Sequence, residues 1–292
     1  MTRPDATHAK GAGLKPIPAL LRLALAALFL LPLLFMVLAA FRPAGSPLTS
    51  SLWTGLPTVE NFRKLFSILP IGRYTLNSLL VAAVAVPLTV LTASWAGFAM
   101  ARLPRPTQRR WVLLSLLVLM IPGVALWSSR FILYSRLGIG GTLWTLIVPA
   151  FMGTSPFFVL IFYRAFRRIP TAIYDSARLE GAGVLATWGR VALPMARPTA
   201  VAVAALAFIL YWGDYISPLL YLGDAARYTL PVGLQLLAQL GRSNYPLLLA
   251  GALWSTLLPL LLVVGGVLAV AAVERAHARK FGSITGQSER DN

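Results

Sequence analysis

The 292-residue chain contains no cysteine, and its two histidines, His8 and His277, both lie near its ends. Without cysteine, the chain cannot form a disulfide framework or a thiolate metal site. A Ser/His/Asp catalytic set within the apolar blocks is excluded because neither histidine is there. The sequence also lacks a G-x-x-x-x-G-K-[ST] phosphate loop. We therefore expect no enzymatic activity, no metal site and no cofactor bound by this chain.

Charged residues are scarce, at 12% of the chain, whereas a typical soluble domain has roughly 25%. Hydrophobic residues make up 58%, and a lipid-facing surface explains this composition better than a large core does. Acidic residues are the rarest charged group, with 9 against 26 basic ones and a net charge of +17. That charge could bind nucleic acid, but the basic residues lie between apolar blocks, as in membrane proteins. We predict a membrane protein that contacts lipid and binds no nucleic acid.

Six apolar blocks are long enough to cross a bilayer as helices, which takes about 20 residues. They are residues 17–40, 75–100, 111–130, 142–163, 198–222 and 246–273. The first is longer than the apolar core of a signal peptide, so we interpret it as an uncleaved span. With the N-terminus inside, the cytoplasmic segments hold roughly twice as many Lys and Arg residues as the external ones.

These patterns predict an all-α polytopic membrane protein with six transmembrane helices and both termini in the cytoplasm. The predicted domains are a cytoplasmic tail, 1–16, a membrane domain, 17–273, and a second cytoplasmic tail, 274–292. Within the second block, small residues recur every four positions, which favours close packing against another helix. These residues are Ala85, Thr89, Ala93 and Gly97.

The longest internal cytoplasmic segment, 164–197, is predicted to form a helix–turn–helix. Pro170 and Thr171 are typical of a helix start, and Gly181 and Gly183 should end that helix. The second helix should carry an apolar stripe of residues three apart, formed by Leu185, Trp188 and Val191. The residues alone leave two interpretations open: a surface that docks on a partner protein, or an amphipathic linker on lipid headgroups.

The loop contains Asp175-Ser176-Ala177, then Gly181, then Val191, Leu193 and Pro194. In its spacing it resembles the coupling-loop signature of ABC importer permeases, which reads Glu-Ala-Ala, three residues, Gly, nine residues, Ile-x-Leu-Pro. The chain departs from that signature by Asp for Glu, Ser for Ala and Val for Ile. Several other segments are similar to maltose-type sugar permeases, namely residues 99–102, 120–123, 166–170, 211–215 and 228–233.

This resemblance implies the type I importer permease fold in a bacterial inner membrane. It further implies a second permease subunit, two ATPase subunits that hold ATP and Mg, and an external solute-binding protein. The residues it assigns to ATPase coupling are Asp175, Ser176, Ala177, Glu180, Gly181, Leu193 and Pro194. The implied substrate is a sugar, an oligosaccharide or related carbohydrate. The alternatives are glycerol phosphate, a polyol, or an amino acid or polyamine, and a secondary transporter is the more distant one.

Asp214 is the only formal charge deep within a predicted span, apart from Arg22 in the first. Placing a charge at that depth costs about 2.5–3.5 kcal/mol, so Asp214 should face the helix bundle or a cavity. Two hypotheses remain. Asp214 lines the sugar path together with Trp212 and Tyr215, or it hydrogen-bonds a neighbouring helix and stabilises packing.

Overall fold

The computed structural model describes residues 19–43, 46, 56–240, 244–261, 264–266 and 268. The predicted tails, 1–16 and 274–292, lie outside the described residues, as do both histidines. Across the described ranges every regular element is a helix and no strand occurs, which confirms the all-α prediction.

The described α-helices are numbered here in chain order. They are α1 (Ala19–Ala40), α2 (Glu60–Ile68), α3 (Ile71–Arg102), α4 (Arg105–Leu119), α5 (Trp127–Arg136), α6 (Trp144–Ile147), α7 (Pro156–Phe166), α8 (Thr171–Leu179), α9 (Val184–Ala186), α10 (Leu193–Met195), α11 (Arg197–Gly213), α12 (Ile216–Tyr221), α13 (Leu230–Ala238) and α14 (Tyr245–Gly266). Short 3-10 turns cover Gly123–Leu126, Val148–Met152 and Ala225–Arg227, and a π-helical turn covers Thr187–Ala192.

In the described part of the chain, four helical stretches are long and apolar enough to cross a membrane, or up to six if each of two bent helix pairs is counted as one span. The four are α1, α3, the stretch Trp144–Phe166 and α14, and the bent pairs overlap the third and fifth predicted spans. The upper number agrees with the six spans predicted from the sequence.

Two predicted spans are not the straight helices that their apolar composition suggested. The block 111–130 bends by 86° between α4 and the helix Gly123–Arg136. Pro122 accounts for this break, since proline lacks an N–H and disfavours helical geometry in the residue before it. The block 198–222 is interrupted after Gly213 and resumes as α12, and before the block, α11 meets the loop segment Val184–Met195 at 83°.

Helix α3 is the central element, because α7 and α11 both pack along it. The four small residues of its stripe are all buried, as predicted: Ala85, Thr89, Ala93 and Gly97. A Cβ atom at Gly97 would lie 2.7 Å from the Phe162 Cβ and 2.7 Å from the Tyr163 backbone nitrogen. Only glycine allows the backbones of α3 and α7 to approach this closely.

The predicted helix–turn–helix is present as α8, a turn and α9. Gly181 forms the turn with a φ of +79°, a left-handed value that side chains disfavour. The predicted apolar stripe does not face one way, however. Trp188 is buried and its ring contacts the Trp95 ring edge-on at 5.4 Å, whereas Leu185 is 63% exposed. The π-helical turn at Thr187–Ala192 changes the helical period and so separates these side chains.

Candidate functional site

A cavity of about 500 Å³ lies where the fourth and fifth predicted spans are interrupted. Its walls come from α5, from the break between α6 and α7, and from the junction of α11 with α12. Non-helical backbone at membrane depth is tolerated only where it is buried in protein or lines a water-filled cavity. Its polar lining includes Arg130, Thr154, Ser155, Tyr211, Asp214 and Ser217.

The break before α7 turns two hydroxyl groups toward the cavity. Gly153 and Thr154 both have left-handed backbones, with φ values of +71° and +61°. For a β-branched residue such a conformation costs about 1–3 kcal/mol, and it persists only where surrounding contacts enforce it. Ser155 then caps α7, since its hydroxyl accepts a hydrogen bond from the Phe157 N–H at 3.3 Å.

A chain of hydroxyl groups crosses the bundle beside the cavity. The Thr89 Oγ1 and Thr154 Oγ1 atoms are 2.5 Å apart, and Thr154 Oγ1 is 2.7 Å from Tyr211 Oη. A further hydroxyl, that of Thr92, donates to the Ala150 carbonyl at 2.7 Å. These contacts connect α3 to the break and to α11, and they account for the strained conformation at Thr154 because they hold its side chain from two sides.

Asp214 lies immediately after the C-terminal residue of α11, with its carboxylate at the cavity. Its Oδ1 accepts a hydrogen bond from the Ser217 N–H at 3.0 Å, at the start of α12. Among the described residues, this bond to α12, the next helix along the chain, is the hydrogen bond that the Asp214 side chain makes. The opposite charge in the lining is the Arg130 guanidinium on α5. The cavity therefore presents both a hydrogen-bond-accepting anion and a fork of N–H donors.

Trp212, two residues before Asp214, faces a different part of the molecule. It is only 6% exposed, stacks on Phe208 at 5.5 Å, and donates its Nε1–H to the Ser255 carbonyl at 3.0 Å. In α14 that carbonyl would normally accept from residue 259, which is a proline and has no N–H. The Trp212 indole therefore replaces the donor that Pro259 lacks.

The structure thus brings Asp214 to the cavity but not Trp212 or Tyr215, which are absent from its lining. Successive residues on a helix point about 100° apart, so closeness in sequence does not place side chains on one face. Sequence reasoning also missed Arg130, Thr154 and Tyr211. The run Gly153-Thr154-Ser155-Pro156 was the available signal, because such residues mark turns even inside an apolar block.

The predicted coupling residues of the loop are differently placed. Asp175, Ser176, Glu180 and Gly181 are exposed, Ala177 is buried, and Leu193 and Pro194 are half-buried. Around the turn, three apolar side chains are exposed: Leu179 (90%), Val184 (77%) and Leu185 (63%). We call these three residues the turn patch. Exposed apolar groups gathered at one turn are typical of an interaction surface.

Tyr174 attaches the loop to the membrane helices. Its hydroxyl donates to the Phe166 carbonyl at 3.2 Å, and the Arg102 guanidinium lies 4.4 Å above its ring. Burial raises the pKa of the Tyr174 phenol, against the opposite effect of Arg102, so the hydroxyl keeps its proton and remains a donor. Through Tyr174 and Trp188, the loop contacts both α3 and the end of α7.

Residues 90–282 match the family described as "Binding-protein-dependent transport system inner membrane component". The chain belongs to this family, and it is therefore a multi-pass inner-membrane component of a transport system. The match confirms the resemblance to importer permeases noted on the coupling-loop signature.

Among its relatives is the arabinooligosaccharides transport system permease protein AraQ of Halalkalibacterium halodurans. It is 30% identical over 239 residues, which are 80% of this chain and 84% of the relative. The diacetylchitobiose uptake system permease protein NgcG of Streptomyces coelicolor is 29% identical over 80% of this chain and 78% of its own length.

Solved structures share the fold at lower identity. A crystal structure of a bacterial ABC transporter involved in the import of the acidic polysaccharide alginate contains a chain that is 16% identical. The TM-score is 0.70, and the alignment covers 86% of this chain and 94% of that one. A second structure, of a bacterial alginate ABC transporter in complex with an alginate-pentasaccharide-bound periplasmic protein, gives a TM-score of 0.61 at 15% identity, over 85% of this chain and 90% of that one. These likenesses confirm the importer permease fold.

Proposed function

We propose that this chain is the permease subunit of an ATP-driven sugar importer. With a second permease it forms the path for an oligosaccharide or related carbohydrate, which a solute-binding protein delivers. Two ATPase subunits, with ATP and Mg, drive the cycle. The sugar substrate is supported by relatives named for arabinooligosaccharide, diacetylchitobiose and maltodextrin transport. A delivering protein is supported by the family description and by the alginate complex.

The observation that carries the proposal is the cavity at the interrupted spans. Its volume, about 500 Å³, is in the range of small-molecule sites. Sugar hydroxyls both donate and accept hydrogen bonds, and the lining offers an acceptor in Asp214, donors in Arg130 and hydroxyls in Ser155 and Tyr211. Because one cationic and one anionic side chain line it, the cavity favours an uncharged solute over an anion such as glycerol phosphate.

The turn patch supports the proposed contact with an ATPase. Its three side chains are mostly exposed, although burying them would be worth about 1.5–3 kcal/mol each. The proposed coupling residues Asp175, Ser176 and Glu180 are also exposed. Asp175 and Ser176 lie four and three residues before Leu179, so they share its face of α8. A partner that covered the patch would push on a loop that Tyr174 attaches to α3 and α7.

The experiment is purification of the full tagged chain from mild detergent, from cells expressing the transport system, followed by ATPase and sugar-uptake assays. The variant Gly181→Asp places a charged side chain at a φ of +79°, so recovery of ATPase and uptake should both fall at least tenfold. The matched control is Gly183→Ala, whose added Cβ meets no atom within 4 Å and whose φ is −67°. This control should behave like wild type.

Recovery of the wild-type chain without any ATPase would refute the proposal. So would sugar uptake that proceeds unchanged when ATP is depleted, since it would indicate a secondary transporter. Equal loss in both glycine variants would leave the importer function standing but would remove Gly181 from the coupling role.

A further inference from the structure

A second cavity, of about 460 Å³, opens between α4 and α7 at the end of the molecule that carries the 164–197 loop. Its lining changes from apolar to basic along α7. Leu160, Tyr163, Arg164 and Arg167 share one face of that helix and its last turn, because they are spaced three and four residues apart. The full lining is Val112, Leu160, Tyr163, Arg164, Arg167 and Arg168.

Hydrogen bonds fix the wall of this cavity. Gln108 is buried, and its Nε2 donates to the carbonyls of Ala101 at 3.1 Å and Leu103 at 2.7 Å. Its Oε1 accepts from the Tyr163 hydroxyl at 3.0 Å, and that hydroxyl accepts from Arg167 Nη1 at 3.3 Å. One guanidinium is therefore oriented before any ligand arrives, which lowers the entropic cost of binding.

The charge of the lining is uncompensated within the described part of the chain. Three guanidinium groups and no carboxylate line the cavity, and none of the three is in a described ion pair. Cations are favoured at a helix C-terminus and on the cytoplasmic side of a membrane, which explains the presence of arginine at this end. The helix dipole and the preference for cations on the cytoplasmic side do not explain why the arginines line a concave site. Nor do they explain why the arginines lie next to an apolar strip in that site.

We propose that this cavity binds the phosphate headgroup of an anionic phospholipid. A guanidinium presents paired N–H donors that match two phosphate oxygens, so the site suits a phosphodiester. Basic pockets between membrane helices are suited to anionic headgroups. Val112 and Leu160 supply the apolar surface for the acyl chain. The bound lipid joins α4 to α7 beside the attachment point of the loop.

The test measures binding of phosphatidylglycerol to the full chain in mild detergent, by native mass spectrometry and by titration. Phosphatidylcholine, which is zwitterionic, is the control lipid. The first variant changes three lining arginines to glutamine, at Arg164, Arg167 and Arg168. The matched control variant changes three exposed arginines of α4 outside the lining, at Arg105, Arg109 and Arg110.

We expect phosphatidylglycerol to bind wild type at one saturable site and to prefer it over phosphatidylcholine. Each cation contributes roughly a fivefold factor, so the lining variant should weaken binding on the order of a hundredfold. The α4 variant should stay near wild type. The single variant Arg167→Gln, checked for helical content by circular dichroism, should weaken binding about fivefold and serves if the triple variant does not fold.

Equal loss in the two triple variants would overturn the proposal, because the attraction would then be a diffuse surface effect. A wild-type affinity in the folded Arg167→Gln variant would also overturn it. The variant Leu160→Asn separates lipid from free anion: it should weaken phosphatidylglycerol binding. If it does not, and inorganic phosphate binds wild type with the same dependence on the three arginines, the site is one for a soluble anion.

Discussion

The hydrogen bond from Trp212 to the Ser255 carbonyl predicts a loss of stability that a second substitution should partly restore. Changing Trp212→Phe removes the Nε1–H donor and leaves the Ser255 carbonyl without a partner, because residue 259 is proline. A carbonyl held away from water that loses its donor costs about 1–3 kcal/mol. The smaller ring also loses packing against Phe208, which adds about 1 kcal/mol. We expect the free energy of unfolding to fall by about 3 kcal/mol in total.

The rescue is Pro259→Ala, which restores a backbone N–H four residues after Ser255. In wild type this change gains only the ordinary benefit of removing a helical proline. In the Trp212→Phe background it also satisfies the free carbonyl, so it should stabilise by about 1–2 kcal/mol more. The measurement is unfolding of the full chain in mixed micelles, followed by circular dichroism at rising denaturing-detergent fraction.

The matched control is Trp254→Phe, because the indole of Trp254 donates to the Thr75 hydroxyl at 3.0 Å and not to a backbone carbonyl. Pro259→Ala should therefore add no extra stability in that background. The reasoning is refuted if Pro259→Ala has the same effect, within about 0.5 kcal/mol, in wild type and in Trp212→Phe, since independent sites add within that margin.

Three further predictions concern α3 and the cavity. Gly97→Ala should destabilise the protein by about 2–3 kcal/mol, because the new Cβ meets backbone and Cβ atoms that cannot move aside. The control Gly72→Ala should have no such effect, because its Cβ meets nothing within 4 Å. Equal melting temperatures for the two variants would contradict this prediction. Tyr211→Phe should lower stability by about 1 kcal/mol through its lost bond to Thr154, and an unchanged melting temperature would contradict it. Asp214→Asn should weaken sugar affinity in uptake assays about tenfold while melting near wild type; wild-type uptake would remove Asp214 from the path.

The helix–turn–helix of the loop could be predicted from the sequence because its signals are local. Glycine was expected to end α8, and the structure places Gly181 directly after it with a φ of +79°, a left-handed value. The small-residue stripe of α3 was predictable for a similar reason: a period of four residues is a property of one helix. What lies opposite Gly97 was not predictable, since that contact with α7 is a tertiary one.

The interruptions of the spans were less accessible to sequence reasoning. Apolar composition over 20 residues measures suitability for lipid, and it is the same whether a helix is straight or bent by 86° at Pro122. For the same reason the sequence predicts Trp212 and Asp214 in one site. In the structure α11 ends at Gly213, between these two residues. Arg130 could not be recognised as a site residue, because it is the last residue of the block 111–130, which the sequence predicts as one straight span.

The close approach at Gly97 has a mechanical consequence for α3. That helix has 32 residues and is about 48 Å long at 1.5 Å per residue. Gly97 lies about 8 Å from the end beside the loop and about 39 Å from the other end. If α3 pivots where its contact with α7 is tightest, a displacement of about 0.7 Å at the short arm becomes about 3.5 Å at the long arm.

The long arm of α3 is hydrogen-bonded to the segment between α12 and α13. Near it, Asn77 Nδ2 donates to the carbonyls of Ala226 and Tyr228 at 3.1 Å and 2.9 Å, and the Ser78 hydroxyl accepts from the Leu230 N–H at 2.9 Å. The segment between α12 and α13 is therefore attached to the part of α3 that would move farthest in such a pivot. In such a pivot, a displacement of less than about 1 Å at the loop end of α3 would become about five times larger at that segment.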